Sequence, residues 1–351
     1  MARVKLALIG CGGMSAAHVR RFHLLRDRLQ LVAAVDVDEA RARQVHEHLP
    51  DVRVATDYRS VLDQVDAVLV VLPHHLHHPV ARECLEAGKH VLLEKPMANS
   101  EAECLDLIAT AARAGRVLMI AYCMRFHPVV AALKDELDRQ SFGEVFQVSI
   151  WTEQMTRYPP GHWGSRAATL GGGQLFSHGC HYIDILLWFL GEPVSGTHLG
   201  TNTGTPWMER EGTSNVTMEF AGGRLGYHFG TWGARGTRLR YSIHAHCTDG
   251  MIEADVSGHR LLAHARGERK LLMESDAGAG KHTENEMAHF LDCIERGHTP
   301  QTDGEAGLQS LRVIWRLYEA EQRGVVADLR GLGLPARQAA ARPTARARTR
   351  A

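Results

Sequence analysis

Val4-Lys5-Leu6-Ala7-Leu8-Ile9-Gly10-Cys11-Gly12-Gly13-Met14-Ser15 is the stretch that decides the fold class. Its first six residues are almost continuously apolar, the pattern of a strand covered on both faces. Glycines follow, and residues 16–25 then read as a helix. Strand, glycine turn and helix in that order are the setting of a dinucleotide-binding fingerprint. Gly10 permits the tight turn, Gly12 lets backbone approach a pyrophosphate, and Ser15 is small enough for close helix packing. Cys11, Gly13 and Met14 complete the loop, whose free N–H groups at the helix start favour an anion. A second apolar strand, residues 31–35, ends in Asp36. A carboxylate there accepts hydrogen bonds from the adenosine ribose and repels a 2′-phosphate. Asp38 and Glu39 follow, with no arginine directly after Asp36, so NAD is expected and NADP is disfavoured.

Working outward, helix and strand patterns alternate through the first third of the chain. Residues 39–49 read as a helix stopped by Pro50, 67–72 as a buried strand broken by Pro73, and 79–87 as a helix closed by Gly88. A strand at 90–94, a helix at 100–113 and a strand at 117–121 follow. Ser100 and Glu103 form a capping-box pattern at the start of that helix. The pattern predicts an α/β protein whose N-terminal domain, residues 1–122, is a doubly wound parallel sheet of Rossmann type. After that the period shortens to two. Runs near 145–154, 216–220, 224–231, 238–246 and 251–254 read as strands, with turns at Gly222-Gly223 and Asp249-Gly250. This predicts a C-terminal α+β domain, 123–330, with an open, largely antiparallel sheet. Two late helices, 283–296 and 305–323, close it, and are expected to pack back on the first domain.

Composition excludes several classes. The chain has 351 residues, 44% of them hydrophobic, with 40 basic and 40 acidic side chains in formal balance. Five arginines and no acid lie in residues 331–351, an Ala/Arg-rich tail expected to be disordered and not a nucleic-acid arm. Seven cysteines without a CxxC pair suit reduced thiols in a cytoplasmic protein. The first apolar run is too short for a signal peptide, and no stretch reaches the length of a membrane span.

Two features carry chemistry. Glu94-Lys95-Pro96 follows the strand at 90–94, so Lys95 stands past the carboxyl end of a strand, where ligands bind in open α/β sheets. Residues 174–190, after Gly171-Gly172-Gly173, read as a nearly all-apolar helix on which Gln174, Ser177, His181 and Asp184 share one narrow face. Gly179 inside it suggests a close backbone approach. His162, Trp163, His178, Tyr122 and Arg125 are further substrate-side candidates, Trp163 by stacking on a sugar face. The chain has 22 histidines, grouped at His74, His75, His77, His78 and at His178, His181. Neither group shows a third and fourth converging ligand, so no metal site is expected.

Taken together, Gly10-x-Gly12 with Asp36, the turn from Pro73 to His78, the run from Ala87 to Pro96, the Arg125-Phe126-His127-Pro128 turn and the glycine-led helix resemble the Gfo/Idh/MocA family. The likeness covers about residues 3–330. It implies a Rossmann domain and an open-faced sheet domain that binds substrate and mediates homo-oligomers, dimers or tetramers. It also implies NAD(P)-dependent oxidation or reduction of a secondary alcohol or ketone in a sugar, cyclitol or related polyol. By the same likeness Lys95 is the catalytic lysine and His181 the catalytic histidine, and the loop with Pro73, His74 and His77 lies with Glu94 beside the nicotinamide. Many dehydrogenase members carry Asp four residues before the histidine, where this chain has Ser177. That departure keeps open an enzyme that retains NAD and couples transient oxidation to elimination, epimerisation or glycoside hydrolysis. A further alternative is a non-catalytic nucleotide-binding protein, against which the intact Glu94-Lys95-Pro96 and His181 argue.

Overall fold

The computed structural model describes residues 2–275 and 281–334. Strands β1 (Val4–Ile9), β2 (Leu29–Val35), β3 (Arg53–Ala55), β4 (Ala67–Val70), β5 (His90–Leu93) and β6 (Leu118–Ile120) pair in parallel in the order β3-β2-β1-β4-β5-β6. Most read as nearly unbroken apolar runs because both faces are covered, with polar residues such as Lys5 and Gln30 near their starts. Leu6, Leu8 and Leu69 enter one core cluster, while Ala7, Ile9 and Val68 enter the other. The chain changes direction across the sheet between β1 and β4, so the loops after β1, β4 and β5 open side by side.

Helices α1 (Ser15–Val19), α2 (Glu39–His48), α3 (His77–Glu86) and α4 (Glu101–Ala114) connect these strands. The single helix expected over 16–25 is instead the five-residue α1 and a 3-10 turn, Phe22–Leu25. Three residues per turn bring Phe22 and Leu25 to one side, and both pack into the cluster of Leu6 and Leu8. The Ser100–Glu103 capping box opens α4, and Gly115 at φ 61° closes it.

The second sheet is built from β7 (Val145–Glu153), β8 (Pro193–Thr201), β9 (Thr213–Phe220), β10 (Arg224–Thr231), β11 (Tyr241–Cys247), β12 (Gly250–Asp255), β13 (Arg260–Ala265), β14 (Glu268–Glu274) and β15 (Ala327–Asp328). Their order is β14-β13-β12-β11-β7-β10-β9-β8-β15, antiparallel except where β10 meets β7. Gly222 and Gly223, both at positive φ, make the β9–β10 hairpin. The other hairpin turns at Thr248-Asp249, one residue earlier than expected, and Gly250 already pairs in β12. Helices α5 (Pro128–Asp138) and α7 (Cys180–Leu190) cover one sheet face, burying Val148, Ile150, Val216 and Met218. Short α6 (Ala167–Leu170) lies in the loop before α7.

Helix α8 (Thr283–Arg296) returns to the first sheet, where Met287, Phe290 and Leu291 join the cluster of Leu6, Leu8 and Leu69. Arg28 holds it there through Asp292 and Glu295, each at 2.8 Å. Helix α9 (Gly304–Arg323), capped by Asp303, packs on α4 and α7. All seven cysteines are buried. Among the described residues no helix is long and apolar enough to cross a membrane. From residue 335 onward the arginine-rich tail lies outside the described residues.

Candidate active site

The loop after β1 is shaped by Gly10. It stands at φ 95°, and a Cβ there would sit 2.1 Å from the Val71 carbonyl oxygen, so only glycine fits between β1 and the loop after β4. A Cβ on Gly12 or Gly13, by contrast, would meet nothing within 4 Å. The Asp36 carboxylate at the end of β2 accepts the Cys11 N–H and the Asp38 N–H, each at 2.9 Å. A bare glycine face beside a fixed carboxylate fits the pyrophosphate and ribose of a dinucleotide.

Glu94 and Lys95 follow β5. Glu94 is buried and its Oε1 lies 3.0 Å from His18 Nε2. Burial alone would raise this carboxyl; the His18 hydrogen bond and charge, with Lys95 and Lys281, hold it well below the usual range. Lys95 Nζ donates to the Ser177 carbonyl at 3.1 Å. That carbonyl belongs to a π-helical turn, Leu175–Gly179, which leads directly into α7 and His181. The structure thus replaces the single regular helix expected over 174–190 by a wider turn followed by α7. Gly179 closes that turn where a Cβ would meet Leu175 Cδ1 at 2.8 Å and His228 Cε1 at 3.3 Å, so a larger residue does not fit there. His181 is 2% exposed, and neither ring nitrogen has a partner. Burial first, then Lys95, Lys281 and His178, lower its pKa well below the usual imidazole value. The lysine amine thus contacts the turn that leads into the buried imidazole, whose ring nitrogens have no partner.

Two family models cover most of the chain. One, an oxidoreductase family with NAD-binding Rossmann fold, matches residues 4–122, and the other, the GFO/IDH/MocA C-terminal domain, matches residues 130–253. This chain belongs to the GFO/IDH/MocA family. Among similar proteins are inositol 2-dehydrogenase 2 of Saccharopolyspora erythraea, 30% identical over 63% of this chain and 65% of that protein, and D-xylose 1-dehydrogenase (NADP(+)) 2 of Haloferax volcanii, 28% identical over 86% and 92%. The match thus spans just under two thirds of the inositol dehydrogenase. The fold also matches the crystal structure of aldose-aldose oxidoreductase from Caulobacter crescentus with a TM-score of 0.82, at 24% identity, over 93% of this chain and all of that one.

Around the lysine and histidine of this GFO/IDH/MocA protein, several expected positions turn out to serve the scaffold. His77, expected beside the cofactor, is fully buried and both its ring nitrogens face protein carbonyls, Pro96 at 2.7 Å and Leu72 at 2.8 Å. It ties the loop after β4 to the loop after β5. Pro73 opens the 3-10 turn that carries His74, whose Nδ1 lies 2.8 Å from the Leu170 carbonyl and whose ring packs on Trp163 at 5.0 Å. Arg125 and Asp184, expected on the substrate side, form a buried bidentate ion pair at 2.6 and 2.5 Å, and Arg125 also reaches the Gln301 carbonyl. Tyr122 is fully buried, its hydroxyl is bonded to Ser310 Oγ at 2.6 Å, and its ring edge supports His181 at 5.7 Å. These side chains have spent their polar atoms inside the protein. His162 stacks on Tyr158 and accepts the Gly164 N–H through Nδ1, while Trp163 lies between His162 and His74. His178 sits edge-on to Tyr182 and Tyr241, and burial keeps it neutral.

Sequence reasoning missed Lys281. Its Nζ approaches Met14 Sδ at 3.4 Å, and its charge acts on Glu94, His178 and His181. The only local hint is a lone cation after a run of alanine and glycine, which has no periodicity to place it.

Proposed function

We propose that the chain catalyses reversible hydride transfer between a nicotinamide dinucleotide and a secondary carbinol of a sugar, cyclitol or related polyol. One observation carries the reading: Lys95 Nζ lies 3.1 Å from the Ser177 carbonyl, on the turn that leads to the buried, unpartnered His181. The glycine loop from Gly10 to Met14 would hold the pyrophosphate and Asp36 the adenosine ribose. The bound nicotinamide supplies an acceptor for hydride at its C4 position. Lys95 orients the substrate oxygen and stabilises negative charge developing on it. His181, neutral at physiological pH, takes the hydroxyl proton on a free ring nitrogen as the C–H bond breaks. Asp36 favours NAD, because a carboxylate repels a 2′-phosphate. His162 and Trp163 are the side chains left to shape the substrate end, together with Ser177 and His178.

The test is a panel of sugars and inositols incubated with NAD and with NADP, followed by absorbance of the reduced cofactor. NAD-dependent turnover of at least one polyol is expected. Nucleotide binding without turnover of any of them refutes the proposal. A second reading has its own observation, since Ser177 and not a carboxylate precedes His181, and His181 has no carboxylate partner. In that reading the nucleotide stays bound and oxidation is transient. Tightly retained nucleotide with no net NADH separates it from the first.

The open sheet face supports self-association as a dimer or tetramer. It presents Leu199 at 72% and Leu225 at 48% exposure beside Trp151 and Tyr227. Light scattering of the purified chain checks this. Seven buried cysteines support a reducing, cytoplasmic compartment.

A further inference from the structure

Three histidines from distant parts of the chain meet away from the Lys95–His181 pair. His127 precedes α5, His259 lies in the turn between β12 and β13, and His282 immediately precedes α8. One candidate ligand nitrogen from each lies within 4.8 Å of the others. The ring centroids are 4.8 Å apart for His127 and His282 and 6.0 Å for each remaining pair.

The polar atoms of this cluster lack protein partners. His127 is 1% exposed and both its ring nitrogens are unpartnered, as are His259 Nδ1 and His282 Nε2. Buried imidazole nitrogens are normally paired, so three such rings meeting at one place call for a ligand. Two of the three residues also adopt left-handed backbone, His259 at φ 57° and His282 at φ 51°. Such conformations in non-glycine residues persist where surrounding structure imposes them, often at binding sites. The His282 ring is itself oriented: its Nδ1 lies 3.0 Å from Glu284 Oε1, which turns Nε2 towards the other two histidines. A carboxylate behind a histidine is the usual outer support of a metal-bound imidazole.

We infer that His127, His259 and His282 form a binding site for one divalent transition-metal ion of the zinc class, with a fourth position left to water. Three imidazoles and no thiolate or carboxylate ligand exclude a calcium or magnesium site and suit zinc, cobalt or nickel. Zinc–nitrogen bonds of about 2.0–2.1 Å need the ligand atoms closer together than they stand, a change within reach of side-chain rotation. The bound ion joins the start of α5, a turn of the second sheet and the start of α8. It thereby fixes the segment that carries Lys281 to the glycine loop.

The full chain, produced without a polyhistidine tag and stripped with chelator, is titrated with Zn2+ and with Co2+. One equivalent per chain is expected, with the visible absorption of nitrogen-bound cobalt and a Zn2+-dependent rise in Tm. His259→Ala, a change in a partly exposed turn, should weaken binding by more than about tenfold with an unchanged circular dichroism spectrum. Glu284→Gln should weaken it by roughly tenfold, through loss of the charge behind His282. Absence of saturable binding to the full chain overturns the inference, and so does binding of equal affinity and stoichiometry in His259→Ala. Should His127→Ala fail to fold, the His259 variant still decides.

Discussion

Burial and the positive charges of Lys95 and Lys281 keep the His181 ring neutral far below the pH at which an exposed histidine would titrate. In the oxidative direction a neutral imidazole is the competent acceptor, so kcat is expected to stay level as pH falls through about 6.5, the ordinary imidazole value. A pH–rate profile with a limb at that ordinary value would remove His181 as the base. Lys95→Met deletes a charge-assisted contact and a positioned proton-handling group, an effect of about 10²–10⁴-fold on kcat, while nucleotide affinity stays near that of the wild type. The same change removes one cation facing His181, so the residual activity should lose its acid limb at higher pH than the wild type does. Unchanged turnover in Lys95→Met excludes the lysine from the reaction. Lys95, His181 and Asp36 stand out in the sequence because each follows a clear local pattern, either a strand end or a glycine-led helix. Tyr122, Arg125 and His77 stand at similar places but bond to protein partners that the sequence does not reveal. Position past a strand end tells which side of the sheet a residue is on, but not which partner its polar atoms find.

At the scale of elements, the junction of the π-turn and α7 makes the site. The Arg125–Asp184 pair anchors α7 to the turn before α5 with almost no solvent contact, side chains being 5% and 0% exposed. Removing Arg125 strips the buried Asp184 carboxylate of its bidentate partner, so Arg125→Ala is expected to cost about 3–5 kcal/mol, measured as a shift in urea midpoint. Arg125→Met combined with Asp184→Leu should recover most of that loss, because an apolar pair carries no stranded charge. If Arg125→Ala instead keeps full stability and only raises KM, the arginine belongs to the substrate after all. Gly179→Ala places a methyl 2.8 Å from Leu175 Cδ1 and should cost about 1–3 kcal/mol by overpacking. It should also disturb the Ser177 carbonyl that receives Lys95. The first sheet was readable almost strand for strand, since buried parallel strands leave continuous apolar runs. Strands β8, β13 and β14 were not, because β14 has no buried side chain and β8 carries Gly196 and Gly200 along its length. A strand with no buried side chain, one interrupted by glycines, and one such as β13 whose buried residues are consecutive leave no period-two signature.

Across the whole molecule, folding traps titratable groups in forms they would not hold in water. His74, His77, His127, His178, His181 and His228 all have pKa values lowered chiefly by burial. For a lowered histidine the unfolded chain binds more protons at mildly acidic pH, so stability is present above about 6.5 and declines as pH falls towards the folded-state values. Glu286 on α8 works in the opposite sense. It is fully buried, neither carboxyl oxygen has a partner, and burial, with the nearby Glu94, pushes its pKa well above the usual range. Its contribution is complete below about 4.5 and is lost as pH rises towards its folded value, because only the folded state then holds the proton. Lowered histidines outnumber the raised glutamates Glu286 and Glu211, which predicts a net rise in urea midpoint between pH 5 and 7. Glu286→Gln resolves the glutamate's share. Glutamine mimics the protonated acid, so the variant should match the wild type near pH 4.5 and become progressively more stable than it towards pH 8. A stability difference that stays constant across that range would mean that Glu286 is ionised in the folded protein, and that an unseen partner compensates its charge.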